Sequence, residues 1–179
     1  MNNRSREITL SGLFIGLGLL LPYITGNIQS LGVNLLPMHL PILIGGYVLG
    51  WKYGFLIGFI TPLLRTILVG MPPMLIAIPM AFELGIYGLI TGLLFRLLAK
   101  KRSSIFISLI VAIIGGRIVW GLASYLLLSI LAIPFTVEMF IAGAFANSIV
   151  GIIIQLILVP IIIIGLERAG VLRNEKSYN

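Results

Sequence analysis

Between Glu138 and Glu167 the chain carries no charged side chain at all. A stretch that long and that apolar belongs in the hydrocarbon core of a bilayer, where a helix satisfies its own backbone hydrogen bonds. The pattern recurs along the chain; the stretch 104–131 holds a single charge, Arg117. A bilayer core of about 30 Å takes roughly 20 apolar residues per spanning helix. On that rule the sequence divides into six helices, at about 8–24, 37–51, 53–69, 76–98, 104–131 and 137–166. The breaks between them are the polar, Gly-rich TGNIQSLGVNLL, a turn at Lys52, the run Gly70-Met71-Pro72-Pro73, the basic Lys100-Lys101-Arg102, and the stretch around Pro134. The expected fold is an all-α membrane protein: one domain over residues 1–179, built as a compact bundle of six transmembrane helices.

Composition agrees and removes several functions. The chain is 59% hydrophobic and 9% charged, where a soluble domain carries about 25% charged residues. It leaves no room for a nucleotide-binding or soluble catalytic domain, so any use of ATP falls to a partner. It has no cysteine, which excludes a disulfide, a thiol nucleophile or a thiolate metal site. One histidine and five acidic residues also argue against a multi-ligand metal centre, and no cofactor is expected. The start, MNNRSREITLSGLF, has the basic region and apolar core of a signal peptide. It lacks a small-x-small cleavage site and is read as a retained first helix.

The net charge of +7 is a topology signal, not a mark of nucleic-acid binding. With a cytoplasmic N-terminus, the cytoplasmic segments hold Arg4, Arg6, Lys52, Arg96, Lys100, Lys101, Arg102, Arg168, Arg173 and Lys176. The opposite loops, near 25–36, 70–75 and 132–137, hold no basic residue. Both termini are therefore expected inside, in a multi-pass plasma membrane. The two remaining basic residues, Arg65 and Arg117, fall within helices.

A charge at membrane depth costs roughly 2.5–3.5 kcal/mol on insertion scales, so it has a partner or a task. The intramembrane polar residues are His39, Arg65, Glu83, Arg117, Asn147 and Gln155, with Glu138 at the mouth of the last helix. Arg65 and Glu83 stand on two helices joined through Gly70-Met71-Pro72-Pro73. They are expected either to pair or to meet a solute. Tyr87 shares a face with Glu83, one turn on. Arg117 has no partner on its own helix and is read as a binding residue. Asn147 divides between interhelical bonding and ligand contact, Gln155 leans structural, and His39, between Pro37 and Pro41, reads first as a loop-to-helix hydrogen-bonding residue. Two arginines against Glu83 leave excess positive charge, which favours an anionic small molecule, since arginine suits planar carboxylates. Small residues at spacing four, Gly12 with Gly16 and Gly54 with Gly58, mark faces where helices approach closely. A third stripe is Gly143, Asn147, Gly151 and Gln155.

Three segments carry a family resemblance: TLSGLFIG from Thr9, LPILIGGYVLGWKYGFLIGFITPLLR from Leu40 and MAFELGIYGLITGLLFRLL from Met80. With size, helix number and basic ends, they make the chain resemble the substrate-binding S components of energy-coupling factor (ECF) vitamin transporters, over nearly its whole length. Gly12 and Gly16 stand where that family carries an alanine-xxx-alanine surface. The resemblance implies a prokaryotic capture subunit for a water-soluble vitamin or precursor, not an enzyme. It implies contact through Gly12 and Gly16 with a membrane coupling subunit, and two cytoplasmic ATPases beyond it. It also implies toppling of the subunit in the membrane, with loops 25–36 and 70–77 as lids. Substrate contacts are expected from Arg65, Glu83, Tyr87, Arg117, Asn147 and His39. The two arginines make pantothenate the first choice of vitamin, with pyridoxine next. The rival classes are an ion-coupled carrier, for which the proline-rich corners leave room, and a membrane-embedded enzyme, against which the scarcity of acidic and histidine residues argues.

Overall fold

The computed structural model describes residues 3–25, 34–98, 102–170 and 172. Most of the expected lid at 25–36, together with Lys100, Lys101, Arg173 and Lys176, lies outside the described residues. Helix α1 is Asn3–Leu20 and tightens into a 3₁₀ turn, Leu21–Thr25; α2 is His39–Leu49, α3 Trp51–Val69, α4 Met74–Leu97, α5 Arg102–Ile130 and α6 Val137–Arg168. Four of these, α3 to α6, are long and apolar enough to cross a membrane. Helix α1 carries Arg4, Arg6 and Glu7 in its first turns. Helix α2 has 11 residues. At a rise of about 1.5 Å per residue it covers about half of a bilayer core.

The distribution of polarity is inverted relative to a water-soluble bundle. Ile67, Leu122 and Ile130 face outward, at 72%, 59% and 82% exposure, while His39, Arg65, Glu83, Arg117 and Gln155 are buried at 3% or less. A hydrocarbon solvent imposes this arrangement, because charged groups are costly against lipid.

Helix α4 is the centre of the bundle, packed against α2, α3 and α5. Its contact with α3 runs backbone against backbone. A Cβ on Gly54 or on Gly88 would strike the other residue's carbonyl, and one on Gly58 would strike that of Leu84. The Gly54/Gly58 pair read from the sequence is thus the α3–α4 seam. Sequence reading did not single out the polar bonds that tie α2 to its neighbours. Tyr47 of α2 donates its hydroxyl to the Ile105 carbonyl at 2.8 Å and lies 2.8 Å from Ser108 Oγ. Thr91 of α4 reaches the Leu43 carbonyl of α2 at 3.4 Å.

The turns correct one boundary and interrupt one helix. The break between α2 and α3 falls at Gly50, not at Lys52, which sits in the first turn of α3. Gly50 has φ +83°, and a Cβ there would lie 2.6 Å from the Arg96 guanidinium. The expected reentry between α3 and α4 is present. Gly70 ends α3 at φ +75°, Thr66 Oγ1 donates to the Pro72 carbonyl at 2.7 Å, and α4 begins after Pro73. The last helix is broken rather than continuous. A π-helical turn spans Ala142–Ala146, and regular helix resumes at Ile149. Ser148 Oγ closes this break on the Ala144 carbonyl at 3.0 Å. The stripe expected at spacing four therefore splits: Gly151 and Gln155 are buried, but Asn147 is exposed.

Candidate functional site

Three helices carry four polar residues into one buried group. His39 enters from the first turn of α2. Its backbone N–H bonds to the Leu36 carbonyl at 3.0 Å, across the turn made by Pro37 and Met38. Pro41 lies in the same first turn, where the missing N–H costs the helix nothing. Glu83 and Tyr87 come from α4, one turn apart on the face that meets α5. Arg117 comes from the middle of α5. Gly116 beside it lets the helices close up, since a Cβ there would strike the Tyr87 ring.

The carboxylate of Glu83 is the hub. Arg117 Nη1 lies 3.0 Å from Glu83 Oε1, and the Tyr87 hydroxyl donates to the same oxygen at 2.9 Å. His39 Nε2 stands 3.7 Å from it, and the His39 and Tyr87 rings lie 5.6 Å apart. All four side chains are buried, at 3% exposure or less. The expected alternative of an Arg65–Glu83 pair is not what forms. Glu83 is paired across α4 and α5, because its face of α4 turns toward Arg117.

Arg65 works elsewhere. Its Nη1 donates to the Leu19 carbonyl at 2.7 Å, and its guanidinium lies over the Tyr23 ring at 5.2 Å. The last carbonyls of a helix lack intrahelical donors and attract cations. Arg65 thus secures the end of α1 to α3, and the excess positive charge expected from two arginines beside Glu83 does not arise at this carboxylate.

The buried group is incompletely paired. Among the described residues, His39 Nδ1 and Nε2 and Arg117 Nε and Nη2 have no hydrogen-bond partner, and the same holds for both amide atoms of Gln155 on α6. Native interiors leave few buried polar atoms in that state, and each calls for a ligand, a water or a strained role. The Arg117 atoms are the most telling. Nη1 is taken by Glu83, so the Nε–H and Nη2–H edge remains as an intact donor fork. Gln155 is fully buried on α6, one turn beyond Gly151, which packs against Asn34, Leu35 and Leu36 just ahead of α2. No group of three or more metal-ligating side chains occurs among the described residues.

Of the other expected site residues, Asn147 is exposed at the break in α6, outside this buried group. Gly12 and Gly16 lie on α1 with no packed neighbour among the described residues within 4 Å of where a Cβ would stand. Leu13 and Leu17 beside them are exposed. That face of α1 is an open, shallow surface.

Comparison with known families gives one match. The family model for the substrate-specific component of ECF transporters matches residues 6–163. No characterised protein and no solved structure matches the chain.

Proposed function

Because the chain belongs to the family of ECF transporter substrate-specific components, we propose that it captures a small water-soluble carboxylate of the vitamin type, pantothenate before others. One observation carries this reading: the Nε/Nη2 edge of Arg117 is buried and unpartnered beside Glu83, Tyr87 and His39. Two parallel N–H donors fit the two oxygens of a carboxylate, and arginine is the side chain that offers them. His39 and Gln155 supply further unsatisfied polar atoms for the rest of the ligand. Arg65 is a positioning residue that holds the end of α1, not a contact.

The chain works in a plasma membrane with both termini on the cytoplasmic side, and the site opens to the outside. It associates through the Gly12/Gly16 face of α1 with a membrane coupling subunit, which two ATPases drive. The absence of any packed neighbour at those glycines supports this assignment. A second reading has its own support. Glu83 already neutralises Arg117, which favours an uncharged vitamin such as pyridoxine.

Calorimetry on the purified protein, across pantothenate, biotin, pyridoxine and riboflavin, separates the two. Binding of a carboxylate, lost in Arg117→Ala but retained in Arg65→Ala, upholds the first reading. Binding of an uncharged vitamin alone transfers the function to the second. No binding of any compound removes solute capture as the function.

A further inference from the structure

A carboxylate ligand would create a charge imbalance in the buried group. Arg117 and Glu83 cancel as they stand. A carboxylate docked on the free edge of Arg117 adds a negative charge at membrane depth, and an uncompensated charge there is strongly unfavourable. The cheapest correction is a proton. The residue placed to take it is His39, the one histidine of the chain. Both its nitrogens are buried and unpartnered, and Nε2 already stands 3.7 Å from Glu83 Oε1. The charged groups acting on it are Glu83 of α4 and Arg117 of α5, and the Tyr87 ring of α4 lies tilted beside it. Helices α1, α3 and α6 add no charged group against it among the described residues.

We propose that an anionic ligand enters this site together with one proton, which His39 takes up. The inference rests on the carboxylate reading above. The free protein, with neutral His39, binds the carboxylate and one proton from water. The complex then holds two cations, Arg117 and His39, against two anions, Glu83 and the ligand. Protonated His39 has two N–H donors, one for Glu83 through Nε2 and one on Nδ1 for the ligand. The linkage fixes the sign: a complex that gains a proton is favoured at low pH. Affinity for the carboxylate therefore falls as pH rises, toward tenfold per pH unit once His39 is neutral in the free protein. An uncharged ligand brings no proton and shows no such slope.

Calorimetry of pantothenate and biotin binding at pH 6, 7, 8 and 9, each in two buffers of different ionisation heat, counts the protons taken up. The expected result approaches one proton per ligand in the pH range where affinity falls most steeply, and none in His39→Gln, whose affinity no longer varies with pH. Carboxylate binding by the unaltered protein with no proton uptake at any pH overturns the inference and leaves the carboxylate reading standing. Uptake that persists unchanged in His39→Gln overturns the assignment to His39. Failure of both carboxylates to bind, where pyridoxine or riboflavin binds, overturns the carboxylate reading and this inference with it.

Discussion

Arg117 Nη1 meets Glu83 Oε1 at 3.0 Å, so the pair that crosses from α5 to α4 shares one oxygen with the Tyr87 hydroxyl. The bond consumes one corner of the guanidinium and leaves its side edge unpartnered. Glu83 thus orients the arginine, and the remaining donors are aimed by packing rather than by a second protein acceptor. Donors held in this way are fixed in advance, which would lower the ordering cost of binding at the proposed site.

Breaking this pair from one side is costly. Arg117→Met leaves Glu83 buried without its cation, and such losses run to about 3–5 kcal/mol. The double variant Arg117→Met with Glu83→Met removes both charges and recovers most of that loss. Thermal unfolding of the four proteins in detergent closes the cycle. A double-variant loss equal to the sum of the two single losses would mean that the two side chains do not act on each other.

Tyr87→Phe keeps the ring against His39 and Gly116 but removes the donor to Glu83. A hydrogen bond to a charged acceptor contributes about 1.5–3 kcal/mol, and that is the expected loss of stability. The ring's packing survives, so the variant folds. An unfolding temperature unchanged from that of the unaltered protein would show that Glu83 does not depend on this donor.

Arg65 and Arg117 are expected to separate in binding assays. Arg117→Met removes the proposed carboxylate contact and lowers pantothenate affinity by about a hundredfold, near 2.7 kcal/mol. Arg65→Met releases the Leu19 carbonyl and the Tyr23 ring, and its effect falls on stability, with affinity changed less than about fivefold. A larger loss of affinity in Arg65→Met than in Arg117→Met would move the anion contact to Arg65.

The membrane class, the helix order and the polar residues worth attention were legible because each leaves a mark in one dimension. Apolar runs have a length, basic residues have a sequence position, and an intramembrane charge is conspicuous. Pairing is not one-dimensional. Arg65 and Glu83 stand on consecutive helices and invite a bond, yet the bond joins Glu83 to Arg117, 34 positions along. The rotation of α4 decides this, and it is set by glycines packed backbone to backbone with α3. The break in α6 is similarly hidden, since AGAFAN reads as ordinary helix until Gly143 meets Trp120. Asn147 lost its place in the expected stripe for that reason.

The α3–α4 seam gives a sharp contrast between two kinds of glycine. Gly88→Ala drives a methyl group into the Gly54 carbonyl. Backbone cannot swing aside as a side chain can, so the expected loss is at the upper end of overpacking costs, about 3 kcal/mol. Gly165→Ala, on α6 with nothing within 4 Å, changes stability by less than about 1 kcal/mol and in the favourable direction, because alanine is the better helix former. Unfolding temperatures measured side by side check both.

Gly12 and Gly16 belong to the second kind by packing, and the proposed coupling contact separates them from Gly165. Among the described residues, no other part of the fold lies within 4 Å of a Cβ at either position, so their smallness is not used in packing there. Small residues in a membrane helix serve close approach by another helix, and the proposed neighbour is the coupling subunit. Gly12→Leu with Gly16→Leu therefore leaves the unfolding temperature and pantothenate binding of the isolated protein unchanged. The same pair of leucines holds a partner helix away and abolishes co-purification with the coupling subunit, and uptake with it. Loss of ligand binding in the isolated double variant would show that this face serves the site rather than a partner. Normal co-purification and uptake would place the coupling contact on another face of the bundle.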